Sequence, residues 1–314
     1  MLALLTGGSG FIGSHVADKL IERGIRVRVV DVVPPNRDDL EHYDASLLDL
    51  DRLRRAMSGV AVVFHLGAVA DVRDAAEDPH YTESINTRGT INVLEAARRA
   101  KVPRVVYGST TWVYSDTDGE ELDEDTPLRA PSHIYTATKL ASEYYCHAYS
   151  KLYGLKTTIL RYGIPYGPRA RSGAVIPIFV SKALRGEALT IAGDGSQYRN
   201  FVYVEDLAEG NVLALKPVAE NRVYNLEGST KITVREIAET IRKILGDVKI
   251  DYVEGRAGDF SGKEISNRRA REELGWEPRV PFEEGVRRYI EWHVQQEQAR
   301  EKAWARVDTT LGQS

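Results

Sequence analysis

A single cysteine, Cys146, stands in a chain of 314 residues. No disulfide can form within the chain, and a reducing compartment is expected. There is no basic excess either. Lys and Arg number 42 against 46 Asp and Glu, for a formal net charge of −4. Without a basic footprint, nucleic acid is not an expected partner. No long apolar run occurs, and the opening LALLT carries no basic leader-like stretch. Neither a membrane span nor a signal peptide is expected, and the default location is the cytoplasm. No internal repeat, low-complexity tract or metal motif stands out. The composition is 42% hydrophobic and 28% charged, an ordinary globular profile. The length suits one large domain or two unequal ones.

The first half alternates short β-branched runs with helical patterns. Residues 2–6, 27–31, 62–67, 104–109 and 157–163 read as strands, and 11–23, 81–100 and 135–153 as helices. Ile12, Val16 and Leu20 recur every fourth residue, and Gly24 stops that helix. Such alternation predicts an α/β fold with a doubly wound parallel sheet covered on both faces. The pattern loosens after Pro165. The expected division is a first domain over 1–165 and a smaller α/β region over 166–314, with 199–222 returning to the first. The polar tail after Trp292 reads as a solvated helix that frays.

The stretch LLTGGSGFIGSHVADKL places Gly7, Gly8, Gly10 and Gly13 between a strand and a helix. That spacing and context fit a dinucleotide loop. One glycine permits the tight turn, one lets a pyrophosphate approach the backbone, and one lets helix pack on sheet. The helix N-terminus offers free N–H groups to the phosphates. Asp31 ends the second strand, where an acid bonds a ribose 2′-hydroxyl and repels a 2′-phosphate. Val32 follows, with no arginine for a phosphate. The reading is NAD rather than NADP.

In SHIYTATKLASEYY, Tyr135 and Lys139 are four residues apart and share a helix face. A phenol of pKa about 10 must drop by about 2–3 units to act as a base near neutrality. One cation about 4–5 Å away supplies a few kcal/mol at an effective dielectric of about 20. Lys139 can be that cation. Tyr144, Tyr145 and Tyr149 have no lysine four residues on and suit packing or an interface. Thr110 ends the fifth strand, and a hydroxyl there lies at the crevice where such sheets bind ligands.

Together these residues resemble the extended short-chain dehydrogenase/reductase family, in its NAD-dependent nucleotide-sugar epimerase and dehydratase branch of the UDP-glucose 4-epimerase type. The resemblance runs from TGGSGFIG to about Trp292. It includes HLGA (65–68), NTRGT (86–90), GSTTWVY (108–114), YTATK (135–139), RYGIPYGPR (161–169), GDGSQYRNFVYVEDL (193–207) and GRAGD (255–259). It implies that Gly7, Gly10, Phe11, Ile12 and Asp31 hold NAD, with Leu47, Leu66, Gly67, Ala68, Asn86 and Tyr162 completing the cofactor site. It implies that Tyr135 and Lys139 also bond the nicotinamide ribose, and that Thr110 and Tyr135 face the sugar. Leu189 and Ile191 would border the nucleotide base. Arg199 and Arg256 would clamp the diphosphate of a UDP-sugar or related substrate, which suits forked guanidinium bonds. A homodimer through a four-helix bundle is implied too, built from helices near 82–100 and 135–153.

By the same resemblance, Tyr135 takes the proton of the sugar C4 hydroxyl as hydride passes to NAD, the 4-keto sugar turns over, and hydride returns to its other face. Branches that eliminate water or decarboxylate carry a glutamate two residues after the threonine. Here Thr111 and Trp112 follow Thr110, so the sequence offers no carboxylate at that place, which favours epimerisation. A 4,6-dehydratase, a decarboxylase, a 4-reductase and a non-enzymatic NAD-binding regulator remain the alternatives. Three positions depart from the family pattern. Gly163 replaces an aromatic, Ile164 an asparagine that contacts the diphosphate-sugar, and Ser46 an aspartate that bonds the adenine amine.

Overall fold

The computed structural model describes residues 1–254 and 263–311. Among these, residues within Met1–Pro165, Asn200–Thr230 and Gly262–Pro278 form one compact unit, and those within Tyr166–Arg199, Lys231–Ser261 and Arg279–Ser314 form a second.

The first unit is a seven-stranded sheet. Its strands are β1 (Leu2–Thr6), β2 (Arg26–Asp31), β3 (Glu41–Asp44), β4 (Val62–His65), β5 (Arg104–Thr110), β6 (Lys156–Tyr162) and β7 (Arg222–Leu226), in the order β7-β6-β5-β4-β1-β2-β3. Every pairing is parallel. The inner strands are apolar because both faces are covered. All five residues of β1 and all seven of β5 are buried. Helices α1 (Phe11–Glu22), α2 (Leu50–Ala56), α3 (Gly89–Arg99), α4 (Ile134–Tyr153) and α5 (Val204–Leu213) cover them. One core joins β1, β4 and α1 to Leu207, Tyr224 and Trp276. Another joins the opposite faces of those strands to Leu53, Val93, Leu94 and Cys146. The order reverses between β1 and β4, which places a crevice at their carboxyl ends. This is a doubly wound α/β fold of the Rossmann type.

Two expectations of detail changed. The helix read over 81–100 is broken into Pro79–Glu83, a wide π turn at Ser84–Arg88, and α3. Strand β3, EHYD, gave no apolar signal because it is the sheet edge and half of it faces solvent.

In the second unit, Leu189–Ala192 pairs in parallel with Ile250–Val253. Helix Val234–Leu245 begins with a capping box between Thr233 and Glu236. A long helix spans Phe282–Leu311.

Candidate active site

The glycine loop joins β1 to α1. Gly7 has φ +69°, and a Cβ there would lie 2.6 Å from Cα and N of Gly67. Two backbones, at the ends of β1 and β4, therefore meet with no room for a side chain. Gly10 caps α1 without a side-chain bond, and no acid occupies the first turn. The helix start keeps its N–H groups and positive end for an anion. Phe11 and Ile12 follow and are half-buried. Asp31 accepts from the Ser9 N–H at 3.1 Å and the Val33 N–H at 3.2 Å. That pins the second strand end to the loop. A side-chain-free cradle, an open helix start and an acid beside them fit a dinucleotide without a 2′-phosphate.

The loop after β4 is held from below. His65 bonds Thr6 at 2.7 Å and Thr90 at 2.9 Å, and burial depresses its pKa to about 3, so it is a neutral brace. Leu66, Gly67 and Ala68 then turn past the glycine loop, with the Leu66 N–H donating to the Thr6 carbonyl at 3.1 Å. Leu47 is buried, and a Cβ on Gly67 would meet its side chain at 3.2 Å. Asn86 is buried in the π turn. Its Oδ1 accepts from the Val69 N–H at 2.8 Å, and its amide nitrogen donates to the Val69 carbonyl and to Thr138. Tyr162 is buried and donates to Asn211 at 2.6 Å. Asn86 and Tyr162 thus support the loop and strand ends.

Thr110 is buried at the end of β5, and its hydroxyl accepts from the Trp112 N–H at 3.2 Å. Tyr135 is half-buried one turn before Lys139 on α4. Lys139 is 4% exposed. Its ammonium donates to the Gly108 carbonyl at 2.5 Å and lies 4.4 Å from the Tyr107 ring centre. Burial lowers its pKa to about 8. A cation is thus anchored one turn from the tyrosine and two residues before the threonine's strand end.

Two features escaped the sequence reading. Glu143, one turn beyond Lys139, accepts from Ser109 at 2.5 Å and from Arg161 at 3.0 and 2.7 Å. Arg161 also donates to the Tyr114 hydroxyl at 2.6 Å. This buried network ties α4 to β5 and β6. The second feature is Glu227. Its side chain is buried, and burial pushes its pKa up to about 8, opposed by the Thr111 hydroxyl. The sequence offers no carboxylate after Thr110, yet the fold brings one from the end of β7. The only sequence signal was the glycine at 163.

Leu189 and Ile191 are fully buried in the second unit. Arg199 is half-buried and donates to the Tyr198 carbonyl at 2.8 Å. Arg256 and the GRAGD stretch lie outside the described residues. Ile164 opens a short strand, Ile164–Tyr166, and Ser46 accepts from the Leu48 N–H at 3.2 Å. Among the described residues no cluster could hold a metal ion, and no helix is long and apolar enough to cross a membrane.

Residues 3–226 match the model of the NAD dependent epimerase/dehydratase family. A UDP-N-acetyl-alpha-D-glucosaminuronate decarboxylase of Bacillus cytotoxicus is 33% identical over 311 residues, covering 92% of this chain and 96% of that protein. The crystal structure of UDP-glucose 4-epimerase from Thermotoga maritima, with UDP-glucose, superposes with a TM-score of 0.88 at 33% identity, covering 94% of this chain and 99% of that one. That of the Thermus thermophilus UDP-glucose 4-epimerase, in complex with NAD, does so at 0.83 and 32%, covering 93% and 98%. With its glycine cradle, its acid at the end of β2 and its tyrosine–lysine turn, this chain belongs to the NAD dependent epimerase/dehydratase family, and its cofactor is NAD.

Proposed function

We propose that the protein is an epimerase of a nucleotide-diphosphate sugar, inverting C4 of a UDP-sugar through a 4-keto intermediate. NAD supplies the acceptor that takes hydride from the sugar and returns it. The protein's part is proton transfer and orientation. Tyr135 takes the C4 hydroxyl proton and gives it back, and Thr110 bonds the same hydroxyl. Lys139 stabilises the phenolate and bonds the cofactor ribose. The observation that carries this reading is the anchored ammonium of Lys139 one turn from Tyr135 and beneath the strand end bearing Thr110. Trp112 occupies the place where eliminating and decarboxylating relatives carry their glutamate, and this favours epimerisation.

Arg199 and Arg256 serve as the diphosphate clamp in this reading, and Leu189 and Ile191 lie toward the base. The working form is a cytoplasmic homodimer. The supporting feature is an exposed strip on one side of α4, where Tyr144, Tyr145 and Leu152 are 64%, 40% and 73% exposed. An apolar row of this kind on a long helix suits a second copy of the same helix.

The test is incubation with a panel of UDP-, dTDP- and GDP-sugars, followed by proton NMR of the anomeric region. A second C4 epimer should grow in with no net NADH. Steady NADH accumulation or a 4-keto-6-deoxy product overturns the assignment.

A further inference from the structure

Two short stretches flank the groups that meet the sugar. Thr110 ends β5, and the turn Thr111–Tyr114 follows it. Tyr135 stands in the first turn of α4, and His133 occupies the capping position before that helix. Trp112 lies two residues after Thr110, and His133 two residues before Tyr135. Their rings meet edge to face, with centres 5.6 Å apart and planes at 63°. That is a favourable arrangement for an aromatic pair. The contact joins the strand end that carries the threonine to the helix start that carries the tyrosine.

The surroundings fix this pair and leave the indole partly open. In the turn, Thr111, Val113 and Tyr114 are buried. Val113 and Tyr114 join Leu122 in a small core against which Leu128, Leu140 and Ile265 pack. Trp112 is the member of the turn left partly exposed, although an indole has much apolar surface to gain from burial. At the helix start, a capping residue ordinarily lends a side chain to the free backbone N–H groups. His133 makes no such bond, and its ring is given to the indole instead. Beside the pair, the Asp116 carboxylate accepts from the Ser132 N–H at 3.0 Å, the Ser132 hydroxyl at 3.1 Å and the Ser115 hydroxyl at 2.8 Å. These bonds staple the chain after the turn to the chain before α4, which keeps the two rings together.

A small-molecule site combines a few placed polar groups with an apolar, often aromatic, surface. Thr110 and Tyr135 are the polar groups here. We propose that Trp112 is the wall of the sugar site: its partly open indole carries the C–H face of the pyranose, and His133 holds the indole in place. The inference rests on the epimerase reading above and deepens it. Apolar contact is non-directional. It holds a sugar without choosing which way the C4 hydroxyl points. An epimerase must hold two C4 epimers and the 4-keto sugar between them, and a hydrogen-bonding side chain at this place would favour one of the three.

The experiment uses the full chain with its NAD and the nucleotide sugar that turns over. Trp112→Leu keeps an apolar side chain but removes the flat face. KM should rise about tenfold or more with kcat within about threefold of wild type, because a wall holds ground and transition states alike. The rise should agree within about twofold for the two C4 epimers. Trp112→Phe retains a smaller face and should fall between. His133→Ala frees the indole and should raise KM about threefold, and His133→Phe, which restores a ring edge, should return it to the wild-type value. The nucleoside diphosphate alone, measured by calorimetry, should bind wild type and all variants equally, because it has no pyranose. Unchanged KM in Trp112→Leu or His133→Ala, a change confined to one epimer, or an equal loss of affinity for the nucleoside diphosphate overturns the proposal. Should Trp112→Leu fail to fold, Trp112→Phe and His133→Ala carry the same test. If wild type turns over no nucleotide sugar, the epimerase reading falls, and calorimetry with UDP-glucose and UDP judges the wall. Weaker binding of UDP-glucose but not of UDP in Trp112→Leu upholds it. Equal binding of UDP-glucose by wild type and Trp112→Leu, or no binding by either, overturns it.

Discussion

The ammonium of Lys139 donates to the carbonyl oxygen of Gly108 at 2.5 Å, across the contact between α4 and β5. A flexible lysine is thereby held as a fixed charge. Burial lowers its pKa to about 8, so the charge is present at pH 7 and disappears as pH climbs through that value.

The first prediction follows from that titration. A tyrosine base gains activity as pH rises, and its cation is lost above about pH 8. The kcat/KM profile of the wild type should stop rising near pH 8 and then decline. In Lys139→Met, kcat/KM at pH 7 should fall about 10²-fold. The remaining activity should keep rising where wild type has turned over, because an unaided phenol ionises near its usual pKa of about 10. Stability moves the other way. Between about pH 8 and 10.5 the unfolded lysine holds a proton that the folded one has released, so folding strengthens with pH in that window. A pH series of kcat/KM and of denaturation midpoints checks both signs.

Tyr135→Phe is the second. The phenyl ring keeps the packing of a half-buried position, but it has no proton to exchange. We expect kcat to fall by at least about 10³-fold while NAD content and melting temperature stay near wild type. NMR turnover assays and analysis of released nucleotide decide it. Near-normal kcat in the variant removes Tyr135 from its role.

The third concerns the cradle. Gly7→Ala must place a Cβ 2.6 Å from the Gly67 backbone at a φ of +69°. Backbone cannot yield as a side-chain tip can. The strained φ alone costs about 1–3 kcal/mol, and the overlap adds to it by pushing the two loops apart. Urea midpoints should drop, and NAD content should fall further than stability, since the displaced loops are those that meet the cofactor. Replacing Asp31 by Ala instead should leave the fold largely intact and weaken NAD more than NADP, measured by fluorescence titration.

How much of this was legible beforehand depended on distance along the chain. Strands β1, β4 and β5 were visible because an inner parallel strand is apolar on both faces, and a run such as VVF or VVYG has few other uses. Strand β3 was invisible because an edge strand can be polar. The break in the helix before α3 was hidden too. Its wide turn lets the Asn86 carbonyl accept from both Thr90 and Ser142, a tertiary gain that local propensity does not record. The glycine cradle, Asp31 and the Tyr135–Lys139 turn were legible because their partners lie within one or two elements. Glu227 and Gly163 belong to strand ends far apart in sequence, and only the sheet order brings them together.

The last prediction concerns the network beneath the site. Glu143 and Arg161 are 3% and 6% exposed at their side chains and meet through two bonds of 2.7 and 3.0 Å. Glu143 raises the Arg161 pKa against the opposing effect of burial, so the guanidinium is firmly charged. Removing one partner leaves the other as an unpaired buried charge. Glu143→Ala should therefore cost about 3–5 kcal/mol of stability, and Arg161→Met a similar amount. Ser109 loses its acceptor in the first case, and Tyr114 loses its donor in the second. The double variant Glu143→Met with Arg161→Met should be more stable than either single one, because no charge is then stranded. It should nonetheless be a poor enzyme. Ser109 immediately precedes Thr110, and Glu143 lies one turn from Lys139, so the same bonds that hold the charge pair also register α4 against the end of β5. Urea unfolding and kcat measured on the same three proteins separate the two effects. Recovered stability with kcat still reduced assigns the pair to alignment of the site. Recovery of both assigns it to stability alone.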